Sequence, residues 1–363
     1  MFEEWHKSPE FQKRVLDFHN TCAIPPSGKD VDQAKKIIEK VKPMLSDQMK
    51  AQGLFENTRY EYRGSSYEGV KVAKSANDQD LEFDIMFVIK GGTDLKEHNL
   101  RANGYADLKL KAGKEPKQLF QKTMIDGCIS AFYTRNKFYS HLDKCNFSEL
   151  DLTDLGYKKG EITFKKSYHG PAVQIDVKHN GKKFFSIDLA PHFDLTGQGE
   201  MYVPKAPKKY PNYVGWFRSF SLDEKKKLDG IDRHNECRKM VLRCLKVFVK
   251  SRTELACLTS QHLKRALFLA SDGLDANGQP SNLIRSWKLE DLGQRFMDVL
   301  KILEDALEKR FLPHFILPEV NLFENLNDAA MQNMKCRCCR LRRNSLVMPQ
   351  LLSLVAKEKQ NPV

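Results

Sequence analysis

The chain has 363 residues, 41% of them hydrophobic, enough for a true core and for two lobes. Lysine and arginine number 60 against 47 acidic residues, and the net charge of +13 favours an anionic partner such as nucleotide, nucleic acid or anionic membrane. No run approaches the ~20 apolar residues of a membrane span. Met1-Phe2-Glu3-Glu4 is acidic with no apolar stretch behind it, which argues against a signal peptide. The 9 cysteines form no regular framework and read as reduced thiols, so a cytoplasmic or nuclear location is expected, the cytoplasm first.

Residues 1–24 read as a short helix bearing Phe2, Trp5, Phe11 and Phe18, ended by Pro25-Pro26-Ser27-Gly28. From about Asp30, Val31, Ala34, Ile37, Ile38, Val41 and Leu45 share one helical face, and Pro43 should kink or interrupt that helix. Lys29, Lys35, Lys36, Lys40 and Lys42 lie on or beside the other faces; for any single lysine a solvated face is the plain reading. Residues 59–90 carry the turn Gly64-Ser65-Ser66, a polar stretch Ala76-Asn77-Asp78-Gln79-Asp80, and then a strand. Residues 91–122 read as basic and loop-rich, and 117–143 as helical. Strands are expected at Glu161–Lys166, Ala172–Val177 and Phe184–Leu189. Pro204–Pro211 reads as a Pro/Lys-rich linker, and 215–325 as mainly helical. There Leu289, Leu292, Phe296, Val299, Leu300, Leu303 and Leu307 repeat at helical spacing and belong to a core. The expected segments are 1–58 (N-terminal helices), 59–205 (a sheet core) and 206–363 (a helical lobe with a basic, Cys-containing tail).

The chemistry concentrates at Glu82-Phe83-Asp84-Ile85-Met86-Phe87. Acids and apolar residues alternate there, which puts Glu82 and Asp84 on one face of a strand and Phe83 and Ile85 on the other. Carboxylates two residues apart on a strand are ~6–7 Å apart at Cα and can reach the same divalent cations. Such hard oxygen ligands suit Mg²⁺ or Mn²⁺. A third acid is wanted from another strand, and both Asp188 and Asp176 sit in apolar strands; at either position a buried structural acid is the plain alternative. Three acids around two metals serve phosphoryl and nucleotidyl transfer. The Gly-Ser turn offers backbone N–H groups and a hydroxyl to a triphosphate.

Gly64-Ser65, Glu82-Phe83-Asp84 and Ser186-Ile187-Asp188, in this order, resemble the nucleotidyltransferase signature of the cGAS / male-abnormal-21-like family. Tyr67–Val72, Leu258–Lys264 and His314–Phe323 follow the family wording as well, and the resemblance covers roughly residues 30 to 325. It selects Asp188 over Asp176 as third acid. It implies an α+β, two-lobed nucleotidyltransferase fold, with a twisted mixed sheet bearing the acids, a helical C-terminal lobe and a long N-terminal spine helix. It implies a cyclic dinucleotide (cGAMP-like) synthase of innate immunity that uses ATP and GTP after sensing double-stranded nucleic acid. Glu82, Asp84 and Asp188 would hold Mg²⁺ or Mn²⁺, and Gly64 and Ser65 the triphosphate. Thr259 and Ser260 match positions that contact base or phosphate, and Lys246 could hold phosphates. Gln261 stands where vertebrate members carry a base-stacking tyrosine. Arg218, in Trp216-Phe217-Arg218-Ser219-Phe220-Ser221, stands one position from a base-reading arginine.

The activator surface implied is the basic side of the spine helix, Lys35, Lys36, Lys40 and Lys42, with Lys225, Lys226 and Lys227. The zinc loop of vertebrate members is incomplete here: His234, Cys237 and Cys244 are present, but the adjacent Cys-Cys pair is missing. No zinc is therefore expected. Double-stranded RNA is favoured over double-stranded DNA, because relatives without that loop include RNA sensors, and an activator-dependent dimer is allowed. Cys336, Cys338 and Cys339 in a basic stretch read as part of a mobile segment, with nucleic-acid contact, lipidation or metal binding as alternatives. Two other classes stand beside this reading: a catalytically silent developmental or scaffold protein of the same family, and a nucleotidyltransferase acting on RNA ends.

Overall fold

In the computed structural model, residues 5–51, 58–73, 81–89, 91–99, 104–115, 118–206, 215–281, 286–346, 348–350 and 352–353 are described. The polar stretch 76–80 and most of the 204–211 linker lie outside them. The regular structure begins with α1 (Pro9–Cys22), where Ser8 Oγ accepts the Phe11 N–H and proline occupies the first turn. It continues as α2 (Gly28–Ala51), whose residues Ala34, Ile37, Ile38, Val41, Leu45 and Met49 are buried. Pro43 does not interrupt α2: the helix runs through it, held along the whole apolar face.

Strands β1 (Arg59–Arg63), β2 (Leu81–Ile89), β3 (Leu95–His98) and β4 (Tyr105–Leu110) follow. The last two fall in the stretch expected to be loop. The single helix expected over 117–143 is two helices, α3 (Gln118–Thr123) and α4 (Ala131–Leu142), with a hairpin of β5 (Met124–Ile125) and β6 (Cys128–Ile129) between them. Asp126 and Gly127 both have positive φ, the primed-turn geometry that an Asp-Gly pair favours. Next come β7 (Ile162–His169), β8 (Ala172–His179) and β9 (Lys182–Asp194), the last two joined by Asn180-Gly181, again both at positive φ. Then β10 (Met201–Val203) and β11 (Trp216–Ser219) complete the strands, so the region expected to be helical from 215 opens on a strand. Helices α5 (Ser221–Asp229), α6 (Arg238–Lys250), α7 (Ser260–Ser271), α8 (Leu292–Lys309) and α9 (Asp328–Arg343) end the fold.

The chain forms two compact units. The sheet unit comprises Pro26–Glu68 and Gln79–Lys225, and the helical unit Met1–Pro25, Gly69–Asp78 and Lys226–Val363. The division differs from the three consecutive segments expected. Phe11, Val15 and Phe18 of α1 bury among the C-terminal helices, whereas α2 buries its apolar face with the sheet.

In the sheet unit the described strands form one mixed sheet, in the order β1-β2-β9-β10-β11-β4-β6-β5, with β3 on β4 and β7-β8 running off β9. Its strand pairs are antiparallel except the central β2–β9, which is parallel. One face carries Phe83, Ile85, Phe87, Phe185, Ile187, Phe193, Tyr202 and Trp216 into the core with α2 and α4. Trp216 Nε1 donates to the Ile129 carbonyl at 2.7 Å, which satisfies its one polar atom in the interior.

The helical unit is built on α6, α7 and α8, with α1 and α9 packed on them. The residues from Leu292 to Leu307 of the expected repeat are buried in this core, while Leu289 is exposed. The tail expected to be mobile is helix α9. Its Met331, Met334, Cys338 and Leu341 are buried, and Lys335–Glu308 (2.6 Å) and Arg342–Glu304 (2.9 Å) tie it to α8. Cys237 and Cys244 are interior thiols of this core, and burial pushes Cys237 up to about 12. His234 nearby is exposed.

Pro43 within an unbroken helix gives a test. Pro43→Ala restores a backbone donor, removes the ring's clash with the preceding turn, and returns some chain entropy to the unfolded state. The net gain expected is about 1–2 kcal/mol in urea unfolding. A lower midpoint for the variant would show that the site is shaped to proline.

Candidate active site

Two apolar rows fix the acids. In β2, Leu81, Phe83 and Ile85 point into the core, so Glu82 and Asp84 share the opposite face, half-buried. In β9, Phe185, Ile187 and Leu189 are buried beneath, which sends Ser186 and Asp188 to the same face as the β2 acids. The parallel register pairs Asp84 with Asp188 and Glu82 with Ser186. Adjacent strands are ~4.8 Å apart, so the three carboxylates are neighbours. Desolvation, then the charges of Glu82 and Asp84 and a hydrogen bond shared with Glu82, push Asp188 from the ordinary 3.8 to about 7. Asp188 Oδ1 is buried with no hydrogen-bond partner among the described residues.

Asp176 stands elsewhere. It lies on β8, opposite Ser186, with β9 between it and β2, and it pairs with Lys183 at 3.3 Å. It is therefore Asp188, not Asp176, that sits beside Asp84.

The turn after β1 is built against Asp84. Gly64 has φ +83°, and a Cβ there would fall 1.8 Å from Asp84 Oδ2. Any side chain would displace the carboxylate, so glycine is required by contact as well as by backbone angle. The Gly64 carbonyl accepts the N–H groups of Tyr67 and Glu68 at 3.1 and 3.0 Å. Ser66 Oγ donates to the Glu82 carbonyl, which fastens the turn to the acid strand. Ser65 follows Gly64 in this turn and is half-buried.

Two residues that sequence reading missed belong to this site. Arg63 is in register with Asp84, and its Nη1 donates to Ser221 Oγ at 3.2 Å. Its positive charge opposes the rise at Asp188. His192 is fully buried on the acid face of β9, and burial, followed by the Arg63 charge, pushes it down to about 3. It is neutral; Nδ1 lies 2.9 Å from the Ala190 carbonyl, so Nδ1 carries the proton and Nε2 is bare. The signal was present: Arg63 abuts the Gly-Ser turn, and His192 follows Asp188 at an even spacing along one strand.

Arg218 requires a correction. Asp194 pairs with Met201, and Met201 with Ser219, so Ser219 faces the acid side. Arg218 therefore faces the other way, with Tyr202 and Trp216, and pairs with Glu200 at 3.2 Å. A shift of one residue on a strand reverses the face, so the arginine displaced by one position does not look towards the acids.

Among the described residues no three His, Cys, Asp or Glu side chains are already drawn up to hold a metal. Glu82, Asp84 and Asp188 are the set that could: three hard oxygen donors, mutually repelling, with one oxygen buried and unpartnered.

Residues 237–338 match the family described as Mab-21 protein HhH/H2TH-like domain. A protein of Stylophora pistillata called cyclic GMP-AMP synthase-like receptor 3 is 29% identical, over 82% of this chain and 84% of its own. A cyclic GMP-AMP synthase-like receptor of Lucilia cuprina is 25% identical, over 79% of each chain. Protein mab-21-like 3 of Xenopus laevis is 22% identical over 51% of this chain and 53% of its own. The chain is similar to proteins of the cGAS-like/Mab-21 family. That family is nucleotidyltransferase-like, and the mixed sheet with its helical C-terminal region is the fold it predicts.

The other expected nucleotide contacts lie in the helical unit. Thr259 caps α7: its Oγ1 accepts the His262 N–H at 3.5 Å, and His262 Nδ1 accepts the Thr259 N–H at 3.1 Å. Ser260 and Gln261 open that helix and are exposed. Lys246 Nζ donates to the Val70 carbonyl at 3.0 Å, and Arg243 Nη1 to the Gly69 carbonyl at 2.8 Å. Of the expected activator lysines, Lys36 is exposed. Lys40 pairs with Asp154 at 2.6 Å, Lys42 with Glu39 and Tyr62, and Lys35 lies over the Tyr67 ring. Lys227 pairs with Asp272 at 2.6 Å, Lys225 is half-buried and Lys226 is exposed.

Two outcomes follow from this geometry. Gly64→Ala should displace Asp84 and lower Mn²⁺ affinity by about tenfold or more, read by paramagnetic titration, while circular dichroism stays native. Unchanged affinity would mean that the turn does not set the carboxylate. The second concerns pH. The folded chain holds the Asp188 proton more tightly than the unfolded chain, so its contribution is complete below the ordinary 3.8 and is lost as pH rises through about 7. In chelator-containing buffer, Asp188→Asn should therefore stabilise the protein more at pH 8 than at pH 5 in urea unfolding. An equal effect at both values would remove the repulsion argument.

Proposed function

We propose that this protein is a nucleotidyltransferase that joins two nucleoside triphosphates, ATP and GTP, into a cyclic dinucleotide of the cGAMP type. The observation that carries the reading is the in-register pair Asp84–Asp188, with Glu82 beside it and Gly64 shaped to Asp84. Glu82, Asp84 and Asp188 would hold Mg²⁺ or Mn²⁺. The bound ions would supply charge neutralisation and activation of the attacking hydroxyl. The chain's own groups do the rest. The Gly64-Ser65 turn offers N–H groups and a hydroxyl to the triphosphate, and Asp188 lies nearest the attacking hydroxyl and can receive its proton. Neutral His192 and the Arg63 guanidinium keep a fixed charge pattern behind the acids. Thr259, Ser260, Gln261 and Lys246 are the residues assigned to base and phosphate in the helical unit. No structural zinc is part of this reading, since Cys237 and Cys244 are interior, protonated thiols.

The activator in this reading is a nucleic-acid duplex bound through phosphates, double-stranded RNA in preference to DNA, with dimerisation on the activator as an accompanying step. The likeness to cyclic GMP-AMP synthase-like receptors supports it, as does the charge of +13. Lys36 is the exposed member of the spine surface, and Lys40 the next that a duplex would claim from its acidic partner.

One assay tests the whole. Purified protein is given the four triphosphates with Mg²⁺ or Mn²⁺, with and without duplex RNA or DNA, and products are separated by chromatography. A cyclic product is expected, stimulated by duplex RNA and lost in Glu82→Gln/Asp84→Asn. Lys36→Glu/Lys40→Glu should abolish stimulation and spare residual Mn²⁺-driven synthesis. No turnover under any condition would favour the silent reading that mab-21-like relatives represent; a ladder of linear products would favour end addition to RNA.

A further inference from the structure

Within the helical unit, an open cavity of about 480 Å³ lies between the 3-10 turn Thr253–Leu255 and α9. Its wall carries two exposed thiols, Cys257 and Cys336, and two guanidiniums, Arg337 and Arg340, beside Glu254 and Asn333. Cys336 and Arg340 are one helical turn apart on α9 and share a face. Gln332 Nε2 donates to Cys336 Sγ at 3.5 Å. Arg337 Nε is buried, and no hydrogen bond satisfies it among the described residues. Glu254 Oε1 is 3.5 Å away, an ion pair rather than a hydrogen bond. A buried N–H of this kind calls for an acceptor that the described residues do not supply. Nucleotidyl transfer uses none of these groups.

We propose that this cavity is a thiol-modification site, in which Cys336 forms a mixed disulfide with a small acidic thiol of the glutathione class. The two guanidiniums suit the two carboxylates of that tripeptide, Arg being the side chain that matches a carboxylate by two parallel hydrogen bonds. Glu254 offers a partner to its ammonium group, and Asn333 to its amides. The cavity falls in the size range of small-molecule sites.

The step balances with glutathione disulfide as oxidant. Cys336 gives its proton to water, and the thiolate attacks one sulfur of the disulfide. A bond forms between the Cys336 sulfur and that sulfur, the original S–S bond breaks, and the departing glutathione thiolate takes up a proton. The cationic wall gathers the anionic disulfide, which a neutral one would not feel. Neighbouring Cys338 is excluded, because burial pushes its thiol up to about 12 and closes it to solvent.

The test uses the full chain and does not depend on its catalytic reading. Protein is incubated with glutathione disulfide or with the neutral hydroxyethyl disulfide, and adducts are followed by intact mass and peptide mapping. A single glutathionyl group is expected on Cys336, forming about tenfold faster than the neutral adduct, in the range that electrostatic steering gives. Arg340→Glu should erase that preference while leaving the neutral reagent's rate unchanged, and Cys336→Ser should abolish the adduct. Equal rates for the two disulfides overturn the proposal. So do adducts spread alike over Cys128, Cys257 and Cys336, or an internal Cys257–Cys336 disulfide in place of the adduct.

Discussion

Like-charge repulsion across the parallel pair β2–β9 is the constraint around which the sheet unit is arranged. Phe83, Ile85, Phe185 and Ile187 are held beneath by the core, so the strands cannot slide or turn to part Asp84 from Asp188. Burial beneath stabilises what is unfavourable above. The repulsion is relieved only by a proton, which Asp188 holds up to about pH 7, or by a cation. Arg63, in register with Asp84, tempers it without removing it. The Gly64 turn belongs to the same constraint, since it exists in that form only because no atom stands between it and Asp84.

Much of this was legible in the sequence, for definable reasons. Strict alternation over residues 81–87 fixed both the strand and its acid face, because a strand with one buried face has one workable register. The helical face of α2 was equally plain, and the wording Phe-Ser-Ile-Asp-Leu pointed to Asp188. What escaped was set by tertiary pairing. The strands β3 to β6 are short, from two to six residues each, so none carries a long period. Asp126-Gly127 was a hairpin signal inside a run that otherwise reads as helix. Basic composition suggested a loose tail, yet α9 has an apolar stripe of Met331, Met334, Cys338 and Leu341 that the charges obscure.

The same physical rule separates the cysteines. Cys237, Cys244 and Cys338 fill the core of the helical unit as small apolar groups, their thiols held protonated by burial. Cys257 and Cys336 stand in the open on one cavity wall. Spacing along the chain does not distinguish these two populations; depth does.

Under the proposed function, the orientation of Arg218 bears on how nucleobase preference can change. Trp216 and Tyr202 anchor β11 in the core, so the strand's facing is not free to drift. Exchanging Arg218 for any other residue alters only the side of the sheet that looks away from the acids. A cation could reach the acid side through Phe217 or Ser219, or through an insertion or deletion that slips the strand by one residue and unseats Trp216 with it. Phe217 and Ser219 are therefore the tunable positions, and Trp216 is the lock that makes them so.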